Sequence, residues 1–306
     1  MKTTGVAAWI TAGTLLMASH MFAQDTGHGR AVVTVLAKHN EVAPNIAQQD
    51  VSARANGKDA AVTGWTPFKG PDDGLELVLL IDSGARNLGR QLDEISHFLQ
   101  GLAPHTRAAV GYMQFGHVEM AGPLSTNHKQ VAGELHLPAG PTTNPYFSLS
   151  DLAQHWPSQD PKARREVLLL SDGIDPENRR FDPEDPYVLS AVNDSVRAGL
   201  VVYTIYWRSG FGGEDNSFSA NGGQSLLDEL TQATGGYNYW AGTSNPVSFQ
   251  PYFDDLMHRF ENQDALDFTA PVSRKPAIEN LKLKIEGLGL QVTAPQQVFV
   301  SLAGPE

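Results

Sequence analysis

Two aspartates that follow apolar runs are the residues best placed to do chemistry. Asp82 follows LELVLLI at 75–81, and Asp172 follows VLLLS at 167–171. Runs of this length indicate strands buried on both faces, as in a parallel sheet covered by helices. Open α/β sheets bind ligands at the carboxyl ends of such strands. Two carboxylates there could hold a divalent cation or a basic group. The simpler interpretation of each aspartate alone is that it caps a turn or a helix.

Helix and strand patterns alternate around these aspartates from Leu75 to Phe260. Apolar residues recur at helical spacing at 88, 92, 95, 99 and 102, and Asn87 is the predicted cap of that helix. Further strands are predicted at 107–115, 167–170, 201–207 and 237–240, and further helices at 127–135, 148–156, 186–198, 225–233 and 249–260. This alternation predicts an α/β fold with a doubly wound, mostly parallel sheet.

Both ends of the chain are expected to be β structure. A strand is predicted at 31–37, and a hairpin at 51–62 that turns at Asn56-Gly57. In the tail, apolar and charged residues alternate over 281–286. We therefore divide the chain into a signal segment (1–23), an N-terminal β segment (24–73), an α/β domain (74–262) and a C-terminal β segment (263–306). Whether the two β segments pack together is left open.

Composition excludes several classes of function. The 306 residues carry a formal charge of −12 and show no basic patch, which argues against nucleic acid or an anionic membrane as partner. Without cysteine, the chain has no disulfide, thiolate metal site or cysteine nucleophile.

The N-terminus predicts export. Lys2, the short apolar stretch from Val6 to Met17 and the small residue Ala23 form the pattern of a cleaved signal peptide. A retained anchor is the alternative. No other stretch is long and apolar enough to span a membrane, so no transmembrane segment is expected in the mature chain.

The order of elements resembles a von Willebrand factor A domain. The most specific pieces are VLLIDSG at 78–84, VLLLSDG at 167–173 and TGG at 234–236. The flanking β segments are similar to those of secreted proteins with a related domain from acidobacteria. The resemblance covers about 30 to 302 and implies an exported, non-enzymatic adhesion module that binds an unknown protein partner.

The resemblance also implies a metal-ion-dependent adhesion site. In that family an Asp-x-Ser-x-Ser turn, a threonine and a second aspartate hold Mg²⁺ or Mn²⁺. In this sequence Asp82 matches the first position and Asp172 the later one, and either Thr142 or Thr143 matches the threonine.

The turn departs from the family pattern at both serine positions. Gly84 and Arg86 replace the two hydroxyl ligands, and Ser83 stands at the intervening position. A guanidinium can hold carboxylates by directed hydrogen bonds without a metal. The substitutions therefore favour a degenerate site in which Arg86 replaces the cation, with residual Mg²⁺ or Mn²⁺ binding as the alternative.

Two other functions compete with adhesion. One is a metal-free structural scaffold of the cell envelope, in which the site is a relic. The other is an aspartic-type protease that uses Asp82-Ser83-Gly84, because paired aspartates can activate water. Those proteases are all-β, whereas a helical pattern follows this turn. HExxH, GxSxG and Walker motifs are also absent from the sequence, so no enzymatic activity is expected. The acidic loop 175–185 is predicted to be solvated, or to contact a partner if it flanks Asp82.

Overall fold

The computed structural model describes residues 26–38, 45–70, 73–139, 144–208, 217–240, 242, 244–271, 275–287 and 289–302. The strands are β1 Thr26–Ala37, β2 Val51–Ala55, β3 Lys58–Pro67, β4 Leu75–Ile81, β5 Arg107–Gln114, β6 His117–Met120, β7 Arg164–Ser171, β8 Val201–Tyr206, β9 Asn238–Tyr239, β10 Gln263–Pro271, β11 Ala277–Ile285, β12 Leu290–Thr293 and β13 Gln297–Ser301. The helices are α1 Gln91–Gln100, α2 His128–Gly133, α3 Pro145–Gln154, α4 Pro186–Ala198, α5 Ser217–Thr234 and α6 Gln250–Phe260. Within these ranges no helix has the length and apolar character needed to cross a membrane.

A six-stranded mixed sheet forms the centre of the α/β region. Its strand order is β6-β5-β4-β7-β8-β9. Five strands run parallel, and β6 at one edge runs antiparallel to β5. The carboxyl ends of the parallel strands therefore lie along one side of the sheet, which we call the carboxyl edge. The opposite side is the amino edge.

Both faces of this sheet are covered by helices because its central strands are apolar on both sides. All seven residues of β4 are buried. Leu77, Leu79 and Ile81 belong to a core shared with α1, α2 and α6, whereas Val78 and Leu80 belong to a core shared with α3, α4 and α5. The α/β class predicted from the sequence is confirmed.

The terminal β segments form a closed barrel. Six antiparallel strands follow the order β10-β3-β2-β11-β13-β1, and β1 pairs with β10 to close the ring, while β12 adds to the end of β1. The predicted hairpin turn is present, with φ of 49° at Asn56 and 77° at Gly57. These left-handed values suit an Asn-Gly hairpin turn. Small and branched side chains such as Val33, Leu266 and Val300 fill the interior.

Three details differ from the sequence predictions. Helix α1 begins at Gln91, after Arg90, and not after the predicted cap Asn87. Gly89 has a left-handed φ of 51°, which an α-helix cannot include, and the Asn87 side chain instead accepts a hydrogen bond from Trp207 Nε1 at 2.7 Å. Helix α5 already includes Ser217, the first described residue after 208, whereas the predicted start is at 225. Strand β10 was not predicted, although it closes the barrel.

Candidate functional site

The pairing of β4 with β7 brings Asp82 and Asp172 to the same place on the carboxyl edge. Ile81 pairs with Leu170 in parallel register, and the Asp82 N–H donates to the Leu170 carbonyl at 2.9 Å. Both aspartates are buried, with 4% and 5% of their surface exposed. The sequence prediction that the two carboxylates meet is consistent with this geometry.

Neutral groups hold the Asp82 carboxylate. Gly84 N–H donates to Oδ1 at 2.8 Å, and the Ser171 hydroxyl donates to Oδ2 at 2.6 Å. Burial and the charge of Asp172 raise the pKa of Asp82 well above its usual range, although these donors and the Ser83 hydroxyl act in the opposite direction. The negative charge at this position is therefore poorly compensated, and a nearby cation would stabilise it.

Two glycines position Asp172. Gly173 has a left-handed φ of 68°, which turns the chain directly after the aspartate, and Ile174 N–H donates to Asp172 Oδ1 at 3.0 Å. Gly223 of α5 packs against the same backbone so closely that a Cβ there would lie 2.1 Å from the Asp172 carbonyl oxygen. The carboxylate is thus fixed by backbone contacts that only glycine permits.

Arg86 lies in the turn that follows Asp82. Ala85 N–H donates to the Asp82 carbonyl, and Arg86 N–H to the Gly84 carbonyl, both at 2.9 Å. The half-buried Arg86 side chain donates through Nε to the Ser83 carbonyl at 3.2 Å. Gly84 contributes only its backbone to the site.

Sequence reasoning did not identify two tyrosines near Asp172. The Tyr206 hydroxyl, at the end of β8, is buried and has no hydrogen-bond partner in the part of the chain that the structure describes. Burial and the charge of Asp172 raise the pKa of Tyr206 to about 12. Tyr146 of α3 donates to the Gly173 carbonyl at 2.9 Å. A signal was present in the sequence, because the run VVYTIYW ends at the same edge as Asp172.

Asn144 and Asp175 extend the site towards α3. The Asn144 side chain caps α3 by accepting from Tyr146 N–H and Phe147 N–H, both at 3.0 Å. Its amide nitrogen donates to Asp175 Oδ2 at 2.5 Å. Burial raises the pKa of Asp175, and the charge of Asp185 adds to this effect. The sequence analysis places Asp175 in an acidic loop that is predicted to be solvated, or to contact a partner if it flanks Asp82.

The described residues include only part of the metal-ion-dependent adhesion site that the resemblance implies. Thr142 and Thr143, the expected threonine ligands, lie outside the described residues. Gly84 offers no side-chain oxygen, and no group of three or more His, Asp or Glu side chains within the described ranges could hold a metal. Mg²⁺ and Mn²⁺ need several oxygen ligands. The described site contains the carboxylates of Asp82 and Asp172 and the hydroxyl of Ser171, and Arg86 lies in the turn that follows Asp82.

Known structures with partial similarity include an aerotolerance-related membrane protein from Bacteroides fragilis, with a TM-score of 0.44 and 12% identity over 61% of this chain and 98% of that one. The pilus adhesin SpaC from Lactobacillus rhamnosus GG has a TM-score of 0.46 and 9% identity over 82% of this chain and 47% of that one. The VWA domain of SpRpn10 has a TM-score of 0.36 and 12% identity, covering 60% and 93%.

No family model matches the sequence, and no curated protein matches it either. The structures named above have TM-scores below 0.5, so neither family membership nor function follows from them. The functional interpretation rests on the geometry of the carboxyl edge.

Proposed function

We propose that this chain is an exported, non-enzymatic binding module that recognises a protein partner at the carboxyl edge, around Asp82 and Asp172. The observation that carries the proposal is the pair of buried aspartates, Asp82 and Asp172, at the ends of two neighbouring central strands. Burying like charges side by side is unfavourable for folding. A site that is retained at such a cost is typical of binding.

The architecture supports a von Willebrand A-type module. The parallel strands place Asp82, Asp172 and Tyr206 at the ends of β4, β7 and β8, where ligands bind in open α/β sheets. The sequence from 1 to 23 supports export, although it lies outside the described residues.

The proposed site works without a metal ion. Arg86 replaces the cation and stabilises the carboxylate pair, because its guanidinium lies in the turn that Asp82 begins. Asp82 and Asp172 then supply negative charge just below the surface of the carboxyl edge. Thr142 and Thr143 directly precede Asn144 in the sequence, and we propose that they contact the partner.

A binding experiment with one isosteric substitution tests the function. The full chain is immobilised as wild type, as Asp172→Asn and as Asp264→Asn, and envelope proteins of the source organism are passed over each. Asp264 is a carboxylate of the barrel strand β10 and serves as the control for a changed charge. We expect a defined protein to be retained by wild type and Asp264→Asn but not by Asp172→Asn, at equal thermal stability. Equal retention by all three would favour the structural scaffold.

A further inference from the structure

A cleft next to the carboxyl edge combines exposed aromatic rings with carboxylates. Its volume is about 320 Å³, and its lining includes Phe115, Phe147, Tyr187, Asp175 and Glu177. We call these five residues the aromatic–acidic cleft. Asn144, which directly precedes α3, also lines the cleft and donates a hydrogen bond to Asp175. Asp175 follows Asp172 by three residues. The cleft therefore borders the proposed site without including Asp82.

The three rings are more exposed than folding alone would favour. Phe115 is 72% exposed, Phe147 41% and Tyr187 43%. They come from the β5–β6 turn, the first turn of α3 and the first turn of α4, and the Phe147 and Tyr187 ring centroids lie 5.6 Å apart. A group of exposed apolar side chains from separate elements is typical of an interaction surface.

Close packing fixes the central ring. A Cβ at Gly116 would lie 2.3 Å from Phe147 Cδ1, so the backbone of the β5–β6 turn rests directly on this ring. The Asn144 cap fixes the first turn of α3 and, through its other amide atom, Asp175. The cleft is thus preorganised by contacts that connect three elements, which lowers the entropic cost of binding.

The charge of the cleft is negative. Glu177 is exposed and forms no ion pair among the described residues. No lysine or arginine lines the cleft, although Arg179 and Arg180 belong to the same loop as Glu177. Aromatic faces attract cations, and a carboxylate nearby adds a charge-assisted hydrogen bond.

We propose that the aromatic–acidic cleft binds a lysine or arginine side chain of the protein partner. The aliphatic stem of that side chain packs on Phe147 and Tyr187, and its charge lies against Phe115 and Glu177. This inference rests on the proposed function, because it assigns the chemistry of one contact that the partner makes beside the Asp82 site.

The test uses two blocked peptides that differ in one charge. One carries a single central arginine among glycine and serine residues, and the other carries citrulline, a neutral group of the same shape. Each is titrated into the full ¹⁵N-labelled chain, and amide shifts are followed by NMR. We expect saturable shifts at Gly116, Phe147 and Glu177 with the arginine peptide, at a dissociation constant in the range of about 1–10 mM. The citrulline peptide should give much smaller shifts.

Substitutions at two exposed positions of the cleft, each with a matched control outside it, test where the arginine peptide binds. Phe115→Ser and Glu177→Gln should each weaken binding about two- to fivefold. Phe218→Ser changes a ring of similar exposure, 61%, on α5 outside the cleft, and Glu184→Gln changes an exposed carboxylate of the same loop. Both controls should bind like wild type. Equal binding of the two peptides, absence of saturable shifts at these residues, or equal loss in the controls would overturn the proposal.

The same titration on Asp82→Asn separates this inference from the proposed function. Asp82 does not line the cleft, so the arginine peptide should bind this variant as it binds wild type. If the arginine peptide does not bind while Asp172→Asn still fails to retain the partner, only the assignment of the cleft is wrong. If the peptide binds while Asp172→Asn keeps the partner, the carboxyl-edge function is wrong.

Discussion

The two ends of the central sheet both bury carboxylates, but they hold them in different ways. At the carboxyl edge, Asp82 accepts hydrogen bonds from neutral groups and lies beside a second aspartate. At the amino edge, Glu166 is fully buried in β7, 3.6 Å from the Nε atom of Arg164. Burial is the main cause of the raised pKa at both positions, and it raises the pKa of Glu166 to about 7.

The amino-edge cluster connects the sheet to the barrel. Arg164 donates through Nη1 to the Phe260 carbonyl at 2.8 Å and to the Gln263 side chain, and its Nη2 lies 3.4 Å from Asp73 Oδ2. Gln263, the first residue of β10, donates in turn to the Tyr203 hydroxyl at 2.9 Å. These contacts join β7, β8, α6 and the barrel, so the cluster has an architectural role.

The comparison teaches that a raised pKa does not by itself mark a functional site. Glu166 has a guanidinium beside it and lies among fixed elements of the core. Asp82 and Asp172 lie at strand ends, next to an open cleft and to a buried Tyr206 hydroxyl without a hydrogen-bond partner among the described residues. The second carboxylate beside Asp82, in place of the guanidinium beside Glu166, distinguishes the carboxyl edge from the amino edge.

The largest effect is expected from Arg164→Ala. Removing Arg164 leaves the buried Glu166 without its neighbouring guanidinium and leaves Asp73 with His105 alone, and we expect the free energy of unfolding to fall by about 3–5 kcal/mol. Urea denaturation measures it. Arg165→Ala is the control, because this side chain is partly exposed and only bonds the carbonyls of Ser158 and Asp160, so a loss below about 1 kcal/mol is expected. Equal losses would mean that the amino edge is not held by its ion pairs.

Glu166→Gln should change the pH dependence of stability. The pKa of Glu166 is about 7 when folded and 4.5 ordinarily, so between these values the folded state binds a proton that the unfolded chain has released. Stability therefore falls as pH rises from 4.5 to 7, by an amount on the order of 3 kcal/mol.

The substitution should flatten this part of the profile and stabilise the protein relative to wild type at pH 8. Urea denaturation at pH 5 and pH 8 measures both effects, with Glu184→Gln as an exposed control. If Glu166→Gln leaves the pH dependence of stability unchanged, Glu166 is already ionised at pH 5 in the folded protein.

Gly223→Ala tests the close packing that positions Asp172. A Cβ at this position meets the Asp172 carbonyl oxygen at 2.1 Å, so the helix or the strand end must shift, and we expect a loss of about 1–3 kcal/mol. Gly133→Ala is the matched control, since nothing lies within 4 Å of its added methyl group. Thermal unfolding measures stability, and retention of the partner should also fall in Gly223→Ala. A neutral result would mean that α5 does not constrain Asp172.

The smallest effect is expected from Asn144→Ala. Loss of a helix cap typically lowers stability by about 1 kcal/mol. Asn127→Ala removes the equivalent cap of α2 and should lower stability by a similar amount. Only Asn144→Ala should also weaken binding of the arginine peptide, because Asn144, unlike Asn127, contacts Asp175. Equal affinity of both variants for the peptide would mean that Asn144 does not contribute to binding in the cleft.

The sequence predicted local features of the fold well. Helix α4 has the predicted bounds 186–198, and the Asn56-Gly57 turn is where it was expected. The strand ends at Asp82 and Asp172 could be predicted because an apolar run followed by a polar residue is a local pattern. The barrel could not, because its closure depends on pairing between β1 and β10, which are far apart in the chain.

The missed site residues have a similar explanation. Tyr206 ends an apolar strand and has the pattern of a core residue, and its proximity to Asp172 follows from the pairing of β8 with β7. Asn144 has the pattern of a helix cap, which it is, and its second contact with Asp175 depends on tertiary structure. Spacing in the sequence predicted which carboxylates meet but not which neutral groups surround them.

Calorimetric titration with Mg²⁺ and Mn²⁺ tests most directly whether Arg86 replaces a metal at the carboxyl edge. The full chain is compared as wild type, Arg86→Ser and Arg86→Ser/Asp82→Asn, with Arg90→Ser as an exposed arginine control. We expect no binding to wild type or Arg90→Ser, binding to Arg86→Ser, and its loss in the double variant. Binding to wild type with micromolar affinity, abolished by Asp82→Asn, would contradict the metal-free site. Absence of any gain in Arg86→Ser would contradict the replacement of the cation by Arg86.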